Sequence, residues 1–177
     1  MGRLIVIGQM TVDGVMDQME GWFDEKLDGE AHGVEERRAA DALLLGRATY
    51  EFLSEVWPDA PGPYAELMNT LPKYVASRTL TGPLTWNAEL LGPDTAEAVA
   101  AVKAKHAELI LYGCGELGSF LARQGLVDEV RLWLYPAIWG AGLRAFQAGE
   151  LPMRLRLITA RPYATGVVQL VYQPLTA

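Results

Sequence analysis

A single cysteine, Cys114, and only two histidines stand among 177 residues. One thiol permits no internal disulfide, and so few thiolates and imidazoles give a metal site no scaffold. No apolar run reaches the roughly 18 to 20 residues that cross a bilayer, and the N-terminus lacks the basic region, apolar segment and small-residue cleavage site of a secretory leader. Membrane residence is therefore not expected, and a cytoplasmic location is expected by elimination. Basic tracts are missing too: the fifteen Lys and Arg are scattered through a chain of net charge −7, and Arg37-Arg38 is the only adjacent basic pair. Without a phosphate-backbone footprint, nucleic acid is not an expected partner. Internal repeats, low-complexity tracts and long polar linkers are also absent, and the length suits one domain over residues 1–177.

Hydrophobic residues, in contrast, make up half the chain, enough for a sizeable core. Leu4–Ile7, Ala42–Leu45, Tyr74–Ala76 and Leu109–Tyr112 read as strands, with Leu84–Trp86 a weaker candidate. Helices are expected over Val34–Ala40, Thr49–Val56, Tyr64–Met68 and Thr95–Lys105; Asp94 can cap the last, with Glu97 three residues on. Alternation of this kind predicts a largely parallel sheet with helices on both faces. Val130–Tyr135, Arg154–Ala160 and Val167–Tyr172 then read as strands in succession, so antiparallel strands should finish the sheet. The expected fold is α/β and three-layered, with a mixed, mainly parallel sheet. Arg154-Leu155-Arg156-Leu157 alternates cleanly, as expected of a strand with one wet face or a subunit contact. From Thr11 to His32 no period is sustained, which reads as a long connection of the kind that often carries function.

The most informative stretch is LILYGCGELGSFLARQGLVDEVRLWL, Leu109 to Leu134. Gly113, Gly115 and Gly118 satisfy the spacing G-x-G-x-x-G between a strand and a helix. A Rossmann site also needs an acid ending the next strand about 20 residues on. Asp128 and Glu129 instead precede that strand, so the ordinary Rossmann reading is rejected. A local reading survives: glycines let backbone approach a pyrophosphate closely, and the following helix offers free N–H groups. The same glycines would also serve a tight strand-to-helix turn with no ligand. Cys114 reads as a buried structural thiol, since no histidine is placed beside it. His32 and His106 read as surface or capping residues.

Five blocks in order along the chain carry a resemblance: Thr11-Val-Asp-Gly-Val15, Gly46-Arg-Ala-Thr-Tyr50, Lys73-Tyr-Val-Ala-Ser-Arg-Thr-Leu80, Gly113-Cys-Gly-Glu-Leu117 and Gly125-Leu-Val-Asp-Glu-Val130. Together they resemble the dihydrofolate-reductase-like superfamily. Within it, they are most similar to the group related to the C-terminal reductase domain of the bifunctional riboflavin-biosynthesis deaminase-reductase. The resemblance implies a dihydrofolate-reductase-like sheet that binds NADPH. On this carry-over, Gly46, Arg47 and Thr49 would offer donors to the cofactor phosphates from a helix start, and Ser77 and Arg78 would lie near the adenosine 2′-phosphate. Gly113, Cys114, Gly115, Glu116 and Leu117 would form the pyrophosphate loop. Arginine's fork suits phosphate, whereas the carboxylate of an NAD site would repel the extra charge. The plainer reading of Arg47 and Arg78 is a surface ion pair or a loop brace.

At the substrate end, Asp13 is the first polar candidate, as a catalytic or substrate-binding carboxylate; the alternative is a turn former in Asp-Gly. Trp22 and Trp57 could stack on a planar heterocycle or simply fill the core. Trp133 and Trp139 are weaker candidates, falling where the terminal sheet could form a subunit contact. Asp24, Glu25, Glu35 and Glu36 are further acids able to reach a pocket. The Trp and Leu-Pro pattern of true dihydrofolate reductases is absent, and no H-x-E with P-C-x-x-C marks a zinc deaminase. What the resemblance implies is a stand-alone NADPH-dependent reductase of a small pterin-, pyrimidine- or flavin-like heterocycle, without a metal. Related proteins are commonly dimers, and Leu132, Trp133 and Leu134 make a homodimer the expected assembly. The alternative is a non-catalytic nucleotide- or heterocycle-binding homodimer on the same fold.

Overall fold

The computed structural model describes residues 2–23, 40–145 and 153–175. Eight strands form a mixed sheet in an α/β fold. In chain order the elements are β1 (Arg3–Thr11), a 3-10 turn (Met19–Gly21), β2 (Ala42–Gly46), α1 (Arg47–Val56), α2 (Pro63–Thr70), β3 (Lys73–Ala76), β4 (Ala88–Leu90), α3 (Thr95–Lys105), β5 (Glu108–Tyr112), α4 (Glu116–Arg123), β6 (Glu129–Tyr135), β7 (Leu155–Pro162) and β8 (Val168–Pro174). The expected helix over Val34–Ala40 lies, but for its last residue, outside the described residues, as do Asp24, Glu25, His32, Glu35 and Glu36.

The packing divides into two compact units, residues 1–4 with 30–112 and residues 5–29 with 113–177. In the first, the strand order is β4-β3-β2-β5, every pair parallel. Its core is the run Ala42 to Leu45 and Leu109 to Leu111, all at or near zero exposure, as all-apolar strands require. Pro63 at the first position of α2 supplies the helical φ where its missing N–H costs nothing. Asp94 caps α3, accepting from the Glu97 amide at 3.1 Å. The strand expected at Leu84–Trp86 instead lies at Ala88–Leu90. Trp86 and Asn87 are in the left-handed region, at φ 59° and 51°, so the extended path begins only after them.

The second unit has the order β1-β6-β8-β7, with β1 and β6 parallel and the last two pairs antiparallel. β1 runs through Gly8 to Thr11, past the Leu4–Ile7 expected from the apolar run, which stops before Gly8. Gly8 is not a terminator: a Cβ there would lie 2.2 Å from Cys114 Sγ, so the strand needs glycine for close approach. α4 buries Gly118 and Leu121 on one side and ends at Gly125, φ 66°, whose amide bonds to the Ala122 carbonyl at 3.0 Å.

Candidate functional site

Parallel strands deliver their C-terminal ends to one edge, where ligands of open α/β sheets bind. In the first unit Gly46 of β2 is level with Ala76 of β3, and Leu44 with Leu111 of β5. The structure therefore brings Gly46, Arg47 and Thr49 together with Ser77 and Arg78 on the same sheet edge. α1 starts immediately after β2, with Gly46 as its N-cap and, among the described residues, no side-chain cap hydrogen bond. Arg47 and Arg78 are exposed. Arg47 Nη1 lies 3.7 Å from Glu51 Oε1, one turn on, an exposed pair that costs little to break. Ser77 Oγ accepts from the Thr79 and Leu80 amides at 3.1 and 2.9 Å, shaping the loop after β3, and a hydroxyl that accepts still has its own proton to donate. From Ser77 to Trp86 there is no Asp or Glu, so this segment itself brings no carboxylate against a 2′-phosphate.

The glycine loop follows β5 and belongs to the second unit. Gly113 has φ 99°, a conformation that favours glycine, and its amide donates to the Ile7 carbonyl at 2.9 Å. That amide is thus part of the sheet rather than a donor to phosphate, which corrects one detail of the expected loop. Cys114 turns inward, 3% exposed, and burial pushes its thiol up to about 12, the inert cysteine that its position suggested. Gly115 is the N-cap of α4, again without a side-chain cap, and nothing lies within 4 Å of where its Cβ would be. Glu116 and Leu117 begin the helix. Both helices behind predicted phosphate loops thus start from glycine with uncapped amides, whereas α3 carries its own carboxylate cap.

Asp13 resolves toward the turn. The Gly14 amide bonds to the Thr11 carbonyl at 2.9 Å, and the Asp13 carboxylate accepts from Thr11 Oγ1 at 2.6 Å and from the Trp139 and Gly140 amides at 3.0 and 2.9 Å. The Thr11 hydroxyl first, and then those amides, hold the carboxyl well below the usual carboxylate range. A group this firmly ionised is a brace and an acceptor, and does not suit the role of proton donor.

Trp22 and Trp57, for which stacking and core filling were both open, each pack against a neighbouring aromatic. Trp22 is 6% exposed, donates Nε1 to the Asp17 carbonyl at 2.8 Å and meets Tyr135 edge-on at 5.3 Å between centroids. Trp57 closes α1, half-buried, with Tyr64 against its ring at 4.9 Å and Asn69 bonded to its carbonyl. Leu132 and Trp133, placed in sequence at a subunit contact, are 7% and 2% exposed, and Trp133 stacks on Tyr163 at 5.5 Å. Sequence reasoning missed Asp17 and Gln18, which bind Leu143 N at 2.8 Å and Trp139 Nε1 at 3.1 Å. The only prior signal was a polar, aperiodic loop after β1. Among the described residues no group of three or more His, Cys, Asp or Glu could hold a metal, and no helix is long and apolar enough to cross a membrane.

A mixed eight-stranded sheet with bare helix starts behind its parallel strands defines an α/β domain of the dihydrofolate-reductase-like class. This chain belongs to the RibD C-terminal domain family, whose model matches residues 3–169. It is 28% identical over 177 residues to the uncharacterized protein YyaP of Bacillus subtilis (strain 168), covering 96% of this chain and 94% of that one. A putative riboflavin biosynthesis protein from Shewanella sp. PV-4 has the same fold at a TM-score of 0.78 and 22% identity, over 98% of this chain and 99% of that one. Dihydrofolate reductase from Enterococcus faecalis, solved with NADP(H), matches at a TM-score of 0.68 and 15% identity, over 98% and 96% of the two chains. Family membership supports a reductase-like role, and the solved structures share the fold.

Proposed function

We propose that this protein is an NADPH-dependent oxidoreductase that transfers a hydride to a small pterin-, pyrimidine- or flavin-like heterocycle. The observation that carries the reading is the shared strand edge of Gly46-Arg47 and Ser77-Arg78, cationic, free of carboxylate from Ser77 to Trp86 and backed by the uncapped start of α1. Reduced nicotinamide, when bound, supplies the hydride. The protein's own task is to hold and orient. Arg78 and Ser77 would bind the 2′-phosphate, and Arg47, Thr49 and the α1 amides the phosphates nearer that helix. In the second unit, taken by itself, Gly115 with the first amides of α4 would suit a pyrophosphate. The family resemblance and the NADP(H) in the Enterococcus enzyme support this assignment of cofactor. With Asp13 committed to its loop, the proton that follows hydride comes from another donor, and water is the simplest one.

NADPH and NADH titrations followed by nicotinamide fluorescence test the cofactor. Wild type is expected to favour NADPH, and Arg78→Ala to weaken NADPH about ten-fold or more, the scale of a lost charged hydrogen bond, while NADH changes little. Equal affinity for both, unmoved by the substitution, removes the assignment. The engagement of Asp13 in three hydrogen bonds favours one second reading, a nucleotide-binding relative without turnover; NADPH binding with no oxidation across pterin, pyrimidine and flavin acceptors would select it. The homodimer belongs to the same proposal. Its support is β7, whose exposed apolar residues include Leu157 and Ile158, at 52% and 51%.

A further inference from the structure

Thr11 of β1 and Tyr135 of β6 are level at the ends of neighbouring parallel strands, and the segments that follow them are tied together. Backbone bonds of 2.9 Å join Val12 to Ala137, Met16 to Leu143 and Ala145 to Gly14. Asp13, Asp17 and Gln18 add the side-chain bonds already described, and Arg144 Nη1 donates to the Asp13 carbonyl. Gly142 admits no side chain: at φ 131°, a Cβ would meet Asp17 Oδ1 at 2.3 Å.

The residue fixed by this clasp is Trp139. Its amide is held by Asp13, and its indole Nε1–H by Gln18 Oε1 at 3.1 Å. Its benzo ring rests on Gly21, where a Cβ would come within 2.3 Å of Cη2 and 2.5 Å of Cζ2. Gln18 itself sits at φ 54°, a left-handed conformation uncommon outside glycine, asparagine and aspartate. Backbone strain is therefore kept at the residue that orients the indole. Trp139 is nevertheless 38% exposed. Trp139 is thus fixed at its amide, its ring nitrogen and its contact with Gly21 while more than a third of the residue stays in water. A planar ring fixed beforehand loses little entropy when a second ring stacks on it.

We infer that Trp139 is a stacking platform for a planar heteroaromatic ligand, and that Asp13 and Gln18 are the residues that position it. This deepens the substrate side of the proposed function and rests on that reading for the ligand's identity as substrate. The stacking itself does not depend on NADPH. Pterin and flavin rings are wide enough to cover an indole, whereas a lone pyrimidine covers about half of it.

Isothermal titration with lumazine, a fused pteridine, and with uracil, a single ring, is the test. Wild type is expected to bind lumazine more tightly than uracil. Trp139→Leu is expected to weaken lumazine about ten-fold, in line with loss of one base-aromatic stack, and Trp139→Phe by about three-fold or less. NADPH affinity should stay within two-fold in both variants. Gln18→Ala, which frees the ring nitrogen but keeps the indole, should fall between them and raise acrylamide quenching of the Trp139 emission, measured against Trp139→Phe. Lumazine affinity unchanged in Trp139→Leu, or no lumazine binding by wild type at millimolar concentration, overturns the inference. Loss of NADPH binding preference with lumazine still dependent on Trp139 would sink the cofactor reading and leave the platform standing.

Discussion

One methyl group at Gly8 tests how the Cys114 loop is held. Gly8 is buried in β1, level with Leu132 of β6, and a Cβ there would lie 2.2 Å from Cys114 Sγ, 3.2 Å from Met10 Cε and 3.4 Å from Leu132 Cδ2. The Met10 methyl ends a flexible chain and can swing aside, and the leucine contact is ordinary. The sulfur has nowhere easy to go: it is 3% exposed, and its loop is pinned where Gly113 bonds to Ile7. Carbon and sulfur need about 3.5–4 Å, so the loop or the strand must give by more than about one ångström. Overpacking of this kind costs about 1–3 kcal/mol. Removing a glycine from a strand interior returns about 0.5–1 kcal/mol, which leaves Gly8→Ala about 1–2 kcal/mol less stable. In a domain of this length that is a fall in Tm of roughly 2–8 °C. Cys114→Ala alone, which empties a small buried volume, should cost about 1 kcal/mol. Combined, the new methyl fills the space the sulfur left, so the double variant should be no less stable than Gly8→Ala, a coupling of about 1–2 kcal/mol. Urea unfolding of the four proteins, followed by tryptophan fluorescence, measures this coupling. NADPH titration of the same set should show affinity lost in Gly8→Ala and recovered in the double variant. Strictly additive stabilities would refute the steric reasoning, and unchanged NADPH affinity throughout would detach the loop from the cofactor.

Lys73 supplies a pH test. Its side chain is 1% exposed, with Nζ on the Leu71 and Asn69 carbonyls at 2.7 and 3.3 Å and 4.2 Å from the centre of the Trp86 ring. Burial lowers its pKa from 10.5 to about 8. Between those values the unfolded chain binds more protons than the folded one, so Lys73 makes stability rise with pH from about 8 to about 10.5. The urea midpoint of wild type minus that of Lys73→Met should climb across this window, and a flat difference would show the ammonium to be better solvated than its burial indicates. Cys114, with its thiol up at about 12, should resist iodoacetamide in the folded protein at pH 8. Labelling should follow the unfolding rate, and rapid modification under native conditions would contradict the inward-facing loop.

Most of the fold was legible because its signals are local. All-apolar runs such as Ala42–Leu45 and Leu109–Leu111 have no wet face to present, and Asp94 with Glu97 marks a helix start without help from elsewhere. The exceptions were set by contacts distant in sequence. Gly8 reads as a strand end until Cys114, more than a hundred residues on, is seen against it. Leu84–Trp86 reads as extended until Trp86 is found with its Nε1 on Asn69 at 2.6 Å and its backbone left-handed. Arg47, Ser77 and Arg78 were singled out by resemblance and by the chemistry of phosphate, and the register of β2 with β3 puts them on one sheet edge. For Trp22 and Trp57 the sequence left stacking and core filling both open, because a large aromatic in an aperiodic stretch looks the same whether its ring meets a ligand or the core.

By itself the sequence determined the class of the sheet, the strand-end loops with their glycines and cations, and the absence of an acid beyond β3. These follow from periodicity, side-chain chemistry and φ preference, all carried within a few consecutive residues. Only the tertiary structure decided that Asp13 is a brace, that Cys114 is packed against Gly8, and that Trp139 is the tryptophan fixed yet exposed. Each of those depends on which backbone amide or ring lies opposite after the chain has returned over a hundred residues, and no local pattern encodes that meeting.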